Sequence, residues 1–340
     1  MPQVDLPLAQ LQEYRPTLTR EPDFDSFWDA TFQEAAKVQL DAEIVPLPDY
    51  PVPGLRLARA YFTGWAGARI CAWWLVPPDE APRAPQGASG SPGASGGRPT
   101  MIFYHGYGGS KGPADLYLAW ALQGYCVLAV DTRGQAGEST DPKPYPASHS
   151  TGFMTQGVRD PAEYYYRGAY VDCVRALDFA CAQPEVDPAR IGLTGGSQGG
   201  GLTLAVAALD PLRRARVAMP DAPYLCHFRR AVDVAAQPPY TEIAAYCRTW
   251  PAHEREIFRT LSYFDGMNLA GRISCPVLMN VGLQDVTCPP STIYAAFNHL
   301  GSTEKEMAIF PYNGHEGNPN HVLNKLSWAR RLVFDAPTAT

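Results

Sequence analysis

Ile191-Gly192-Leu193-Thr194-Gly195-Gly196-Ser197-Gln198-Gly199 is the stretch on which the fold turns. Its first four residues are a short apolar strand, and a helical pattern runs from Gly199 to Leu209. Between them lies G-x-S-x-G, a tight strand-to-helix reversal that lifts a serine hydroxyl above the sheet edge. Such a turn forces its central residue into strained backbone angles and leaves no room for a Cβ on the flanking residues. The helix start beside it offers free N–H groups and the positive end of a dipole. Ser197 is therefore the candidate nucleophile.

Outward from this turn, short apolar strands alternate with helices. Met101–Tyr104 and Cys126–Val130 are strands, with a helix expected over Leu116–Gln123 between them. Asp160-Pro161-Ala162-Glu163 carries the signals of a capped helix start, so a helix is expected from there to about Ala182. Val217–Met219, Val277–Val281 and Glu306–Phe310 complete the set, preceded by strand patterns at Leu55–Arg59 and Ile70–Val76. This alternation predicts an α/β fold in one domain over 1–340, with a mostly parallel central sheet covered by helices on both faces. Phe24, Phe27, Trp28 and Phe32 share one helical face, giving an N-terminal helical extension over 1–40. The Pro-, Gly- and Ser-rich stretch 78–99 reads as a flexible loop. The irregular stretch 224–269 reads as a helical insertion over the carboxyl edge.

A serine hydroxyl needs a base, and the base an orienting acid; in α/β-hydrolases they follow in the order Ser, acid, His, on loops beyond late strands. Asp285 lies beyond Val277–Val281, and His315 beyond Glu306–Phe310. Asp221 also follows a strand and is the alternative acid. Among the other histidines, His105 precedes the nucleophile, His149, His227 and His253 follow no strand, and His299 and His321 belong to helices. Glu316 reads as a hydrogen-bonding residue. His105-Gly106-Tyr107-Gly108-Gly109 follows the strand Met101–Tyr104, and its glycines let backbone N–H groups approach a substrate oxygen. The N–H groups of Tyr107 and Gln198 are the expected oxyanion donors. No Gly-Lys-Ser/Thr follows, which excludes a phosphate loop.

Composition narrows the function classes. The 340 residues are 46% hydrophobic and 18% charged, enough for a large core, and the net charge of −6 leaves no footprint for nucleic acid. No apolar run reaches the roughly 18 residues of a membrane span. The N-terminus has no basic region followed by an apolar stretch, so no secretory signal is expected. Eight cysteines, none in C-x-x-C spacing, suggest buried thiols in a reducing compartment and no zinc site.

Arg133-Gly134-Gln135, Gly195-Gly196-Ser197-Gln198-Gly199, the Asp285 loop with Cys288-Pro289-Pro290, and His315-Glu316 together resemble the acetyl xylan esterases and cephalosporin C deacetylases of carbohydrate esterase family seven. Tyr164-Tyr165-Tyr166-Arg167-Gly168 and Phe27-Trp28 add to the likeness, which covers nearly the whole chain. The resemblance implies a serine esterase that removes acetyl groups from small alcohols, such as acetylated xylo-oligosaccharides and cephalosporin C, without cofactor or metal. It also implies a cytoplasmic homohexamer whose active sites face an internal cavity. Arg133 and Gln135 would be structural supports near the site. The 78–99 loop is longer than the resemblance leads one to expect. The triad order alone also permits a prolyl-oligopeptidase-like peptidase, though no propeller domain is present. A non-catalytic hydrolase-fold binding protein is the third reading.

Overall fold

The apolar runs pair into a single sheet among the described residues of the computed structural model, which are 4–83, 97–145 and 148–335. Its strands are β1 (Glu43–Pro46), β2 (Arg56–Thr63), β3 (Arg69–Val76), β4 (Arg98–Tyr104), β5 (Cys126–Val130), β6 (Val186–Gly196), β7 (Ala215–Asp221), β8 (Val277–Gly282) and β9 (Lys305–Phe310). They lie in the order β1-β2-β3-β5-β4-β6-β7-β8-β9. The first three form an antiparallel meander that joins β5 antiparallel. From β5 to β9 every pairing is parallel. The chain leaves β4 for β5 on one side and returns to β6 on the other. That reversal opens a crevice beyond the carboxyl ends of β4 and β6, where ligands of such sheets bind.

Side chains along a strand alternate between the two faces of the sheet. Ile102, Leu128, Ala218 and Met279 join one core, while their neighbours Met101, Val127, Val217 and Leu278 join the other. The helices are α1 (Leu8–Glu13), α2 (Phe24–Ala35), α3 (Leu118–Ala121), α4 (Tyr165–Cys181), α5 (Gln198–Leu209), α6 (Phe228–Val234), α7 (Tyr240–Thr249), α8 (Glu254–Ser262), α9 (Gly266–Ala270), α10 (Pro290–His299) and α11 (His321–Ala329). α4, α5 and α10 cover the first face through Tyr166, Leu202 and Ile293. On the second face Trp120, Val333 and Phe334 pack from α3 and the C-terminal turn. α5 is buried along its whole length, which explains why its sequence has no polar face.

Two local expectations differ from the structure, and one strand was not expected. Asp160 does not start a helix: its Oδ1 accepts from Ala162 N at 2.8 Å and its carbonyl from Glu163 N at 3.0 Å. An Asp-Pro pair suits such a turn as well as a cap, and α4 begins at Tyr165. The expected helix over Leu116–Gln123 is a 3₁₀ turn over Ala114–Tyr117 followed by the single turn of α3. The edge strand β1 has four exposed residues, so it shows no alternation to read.

α1 and α2 are fastened to the body. Asn298 Nδ2 donates to the carbonyls of Leu11 and Tyr14 at 3.0 and 2.8 Å. The Trp28 indole donates to Tyr263 O at 3.0 Å and stacks on Tyr170. Of the stretch 78–99, residues 84–96 lie outside the described residues. Among the described residues no helix is long and apolar enough to cross a membrane.

Candidate active site

β6 ends in the reversal. Ser197 has φ 57° and ψ −118°, a conformation that costs an L-residue about 1–3 kcal/mol. Its N–H donates to Asp221 O at 2.9 Å, and its carbonyl accepts from Tyr224 N at 2.9 Å, so both flanks hold the strained residue in place. Gly195 and Gly199 are obligatory by contact, whereas Gly196 has room for a Cβ. A Cβ at Gly199 would come within 1.9 Å of Tyr104 O, and one at Gly195 within 2.5 Å of the same oxygen.

The loops after β8 and β9 open on the same edge. The Ser197 hydroxyl donates to His315 Nε2 at 2.9 Å, and His315 Nδ1–H donates to Asp285 Oδ2 at 2.8 Å. Asp285 is wholly buried, and its second oxygen accepts from Thr287 N and Cys288 N, each at 2.8 Å. One oxygen is thus left to orient the imidazole. Glu316 folds back to accept from Gly314 N at 2.9 Å and clips the turn that carries His315. Its carboxyl is held below the usual value chiefly by that hydrogen bond.

The loop after β4 forms the opposite wall. Among the described residues neither Tyr107 N–H nor Gln198 N–H has a protein acceptor. Gln135 ties the two segments together. Its Oε1 accepts from Gly108 N at 2.9 Å, while its Nε2 donates to Gln198 Oε1 at 2.8 Å and to Tyr165 OH at 3.0 Å. Tyr166 OH donates to Gln198 Oε1 as well, at 2.8 Å. Tyr107 OH donates to Glu242 of α7 at 2.8 Å. Burial raises the Glu242 carboxyl above its ordinary value, and it raises the Tyr107 phenol too. Arg133 lies further back, fully buried. It is forked onto Asp172 at 2.6 and 2.8 Å and donates to Trp65 O at 2.9 Å. It thereby ties its loop to α4.

The other titratable groups have separate tasks. His105 Nε2 accepts from Thr132 N at 2.8 Å and Nδ1–H donates to Gly106 O at 2.8 Å, so it is a strut, kept neutral by burial. Asp221, the alternative acid, pairs with Lys325 and accepts from Asn280 Nδ2 at 3.0 Å. His227 meets Tyr14 OH, and His299 bonds within α10. Among the described residues two trios bring possible metal-ligand atoms within 4.8 Å: Asp285, Cys288 and His315, and Cys71, Asp131 and Glu138. In the first, burial raises the Cys288 thiol, disfavouring the thiolate a metal needs. In the second, the Lys111 ammonium already bridges both carboxylates. All eight cysteines are free thiols.

A chain with this sheet and this edge has close relatives. The acetyl xylan esterase family model matches residues 1–332. The chain belongs to the acetyl xylan esterase family. An acetyl xylan esterase from Paenibacillus sp. R4 is 44% identical, with a TM-score of 0.89 over 96% of this chain and 100% of that one. Acetyl xylan esterase 1 from Thermoanaerobacterium sp. is 34% identical, with a TM-score of 0.86 over 96% and 99%. The acetyl esterase Axe7A of Xylanibacter ruminicola is 28% identical over 333 residues, 93% of this chain and 68% of that protein. The protein is an ester hydrolase of the α/β-hydrolase fold.

Glu242 and Asp172 escaped the motif reading, and Cys288 entered it only as part of a resemblance. Tyr165 and Tyr166 entered it only as part of a resemblance. Glu242 had no local signal at all: it meets Tyr107 from 135 residues away.

Proposed function

We propose that the chain is a serine acetylesterase acting on small acetylated carbohydrates, and that Ser197, His315 and Asp285 are its catalytic residues. The relay of 2.9 and 2.8 Å from Ser197 through His315 to Asp285, at the edge where the sheet order reverses, carries this reading. Ser197 Oγ attacks the acetyl carbonyl as its proton passes to His315 Nε2. The oxyanion sits on the N–H groups of Tyr107 and Gln198, which Gln135 holds in register. His315 then protonates the leaving alcohol, forming the acetyl-enzyme. Water, deprotonated by the same imidazole, releases acetate. Asp285 keeps the proton on Nδ1 and stabilises the imidazolium.

Family membership supports an acetylated xylo-oligosaccharide as substrate, with cephalosporin C as a second acetyl ester. A cytoplasmic homohexamer extends the proposal; its test is the native mass. The peptidase reading has the triad order and a distant likeness, 24% identity over 242 residues (68% of this chain, 32% of that protein) to the uncharacterized peptidase YuxL of Bacillus subtilis, against the family match over 1–332. The first test is the rate on p-nitrophenyl acetate, butyrate and octanoate, with Ser197→Ala as control. A steep fall beyond acetate, and a loss of at least about 10⁴ in the variant, are expected. Comparable rates on all three chains would overturn the acetyl assignment.

A further inference from the structure

α10 begins without a cap of its own. Pro289 occupies its N-cap position and Pro290 its first turn, so neither offers an N–H, and no side chain of the cap residue closes the end. Thr292 N is satisfied locally by Pro289 O at 2.9 Å. Ser291 is wholly buried, and nothing within the helix can accept its N–H. It donates to Asp5 Oδ2 at 2.7 Å, a carboxylate from the other end of the chain. An acceptor on the second or third N–H is what a helix start requires, and a negative charge there also suits the dipole.

Asp5 closes a ring. Its Oδ1 accepts from Arg230 Nη2 of α6 at 2.9 Å and from Leu6 N at 2.8 Å. Arg230 Nε donates in turn to Ser291 Oγ at 3.1 Å. The Asp5 side chain is 1% exposed, so this ion pair escapes the screening that weakens surface pairs. Near the far end of α10, Asn298 holds Leu11 and Tyr14, so the N-terminal arm is fastened along the helix.

The residue that Asp5 anchors leads straight back to the acid loop. Asp285 Oδ1 accepts from Thr287 N and Cys288 N, and only Pro289 and Pro290 separate Cys288 from Ser291. Each proline holds its φ at about −65°, so a shift at Ser291 is passed to the N–H that steadies Asp285. The chain just beyond α6 grips the same loop again, where Ala236 N donates to Val286 O at 3.1 Å.

We propose that Asp5, together with Arg230, is a positioning residue for Asp285: it caps α10 from the N-terminal arm and so fixes the loop that presents the acid to His315. The inference rests on the serine-esterase reading above and adds what holds its acid in place.

The test measures kcat and KM on p-nitrophenyl acetate for wild type, Asp5→Asn, Asp285→Asn and the double variant, with folding checked by circular dichroism. Asparagine keeps the shape of Asp5 but sets an amide N–H against either Ser291 N or Arg230 Nη2. Asp5→Asn should lower kcat about five- to tenfold and leave KM within about twofold, as when a remote change misplaces a catalytic group. Asp285→Asn alone should cost about 10³–10⁴. With the carboxylate gone Asp5 has nothing to position, so adding Asp5→Asn should then cost less than about twofold. If Asp5→Asn does not fold, Arg230→Met takes its place, with about a threefold fall expected and the same disappearance beside Asp285→Asn. A kcat within about twofold of wild type in the folded variants, or an equal loss with and without Asp285, would overturn the positioning role and leave the esterase intact. Wild-type turnover by Asp285→Asn would overturn the relay itself, and the positioning role with it.

Discussion

The two walls that flank Ser197 are built on opposite physical terms. On the Tyr107 side the surroundings are aromatic and closed. Phe153 packs edge-on against Tyr107 and tilted against Tyr165, and Tyr224 packs edge-on against Tyr107. The amides of Gln135 and Gln198 there are engaged by several partners. On the His315 side, Glu316 and Pro319 are exposed, and Gly317 and Asn318 are half-buried. The difference matches the chemistry proposed for each side. Charge that develops on the oxyanion is stabilised most by donors that need no reorganisation. The alcohol that His315 protonates has to depart, which an open wall permits.

The sharpest way to break this contrast is to loosen the closed wall. Gln135→Ala removes the amide that spans Gly108 and Gln198. Deleting an oxyanion donor costs about 10²–10³ in turnover, so misplacing one should cost about 10–100-fold. The loss should fall on kcat, with KM on p-nitrophenyl acetate nearly unchanged. A variant that raised KM and spared kcat would show that Gln135 shapes binding and not the oxyanion site.

Glu242→Gln probes the same wall from α7. The carboxylate accepts from both Tyr107 OH and Met154 N, and an amide turns one acceptor into a donor that faces another donor. A three- to tenfold fall in kcat is expected, about the effect of one weakened hydrogen bond. The pH dependence has a definite sign. Burial raises the native Glu242 carboxyl above its unfolded value, so the folded state binds more protons across that window. Its contribution to stability is present below the unfolded value of about 4.3 and is lost as pH rises through the native one. Urea melts at a series of pH values should therefore show Glu242→Gln gaining on the wild type as pH rises from about 4. A gap that moved the other way would mean that Tyr107 and Met154 favour the carboxylate more than burial opposes it.

The same contrast explains what could be read in advance. Ser197, Asp285 and His315 each sit just beyond a strand, and local spacing was enough to single them out. The sheet was legible for the same reason, since parallel strands buried on both faces are continuous apolar runs. β1 was not, because an exposed edge strand carries no such run. Asp160 misled because one short pattern serves both a cap and a turn. The closed wall was the least legible part: Gln135 came only by resemblance, and Glu242 lies on a helix far along the chain from Tyr107. A hydrogen bond between side chains on separate elements leaves no periodicity behind.

Tyr166→Phe asks whether the closed wall acts as one unit. Tyr166 OH and Gln135 Nε2 donate to the same oxygen of Gln198, each at 2.8 Å. Losing the hydroxyl leaves that oxygen one partner, so a fall of about twofold in kcat and about 1 kcal/mol in stability is expected. The informative measurement is the double variant with Gln135→Ala. If the two donors restrain Gln198 jointly, the second loss should cost more in the absence of the first, because the amide then has neither. A coupling above about 0.5 kcal/mol in kcat would mark the wall as one network. Simple additivity would reduce Tyr166 to packing and leave Gln135 alone as the residue that registers the two N–H groups.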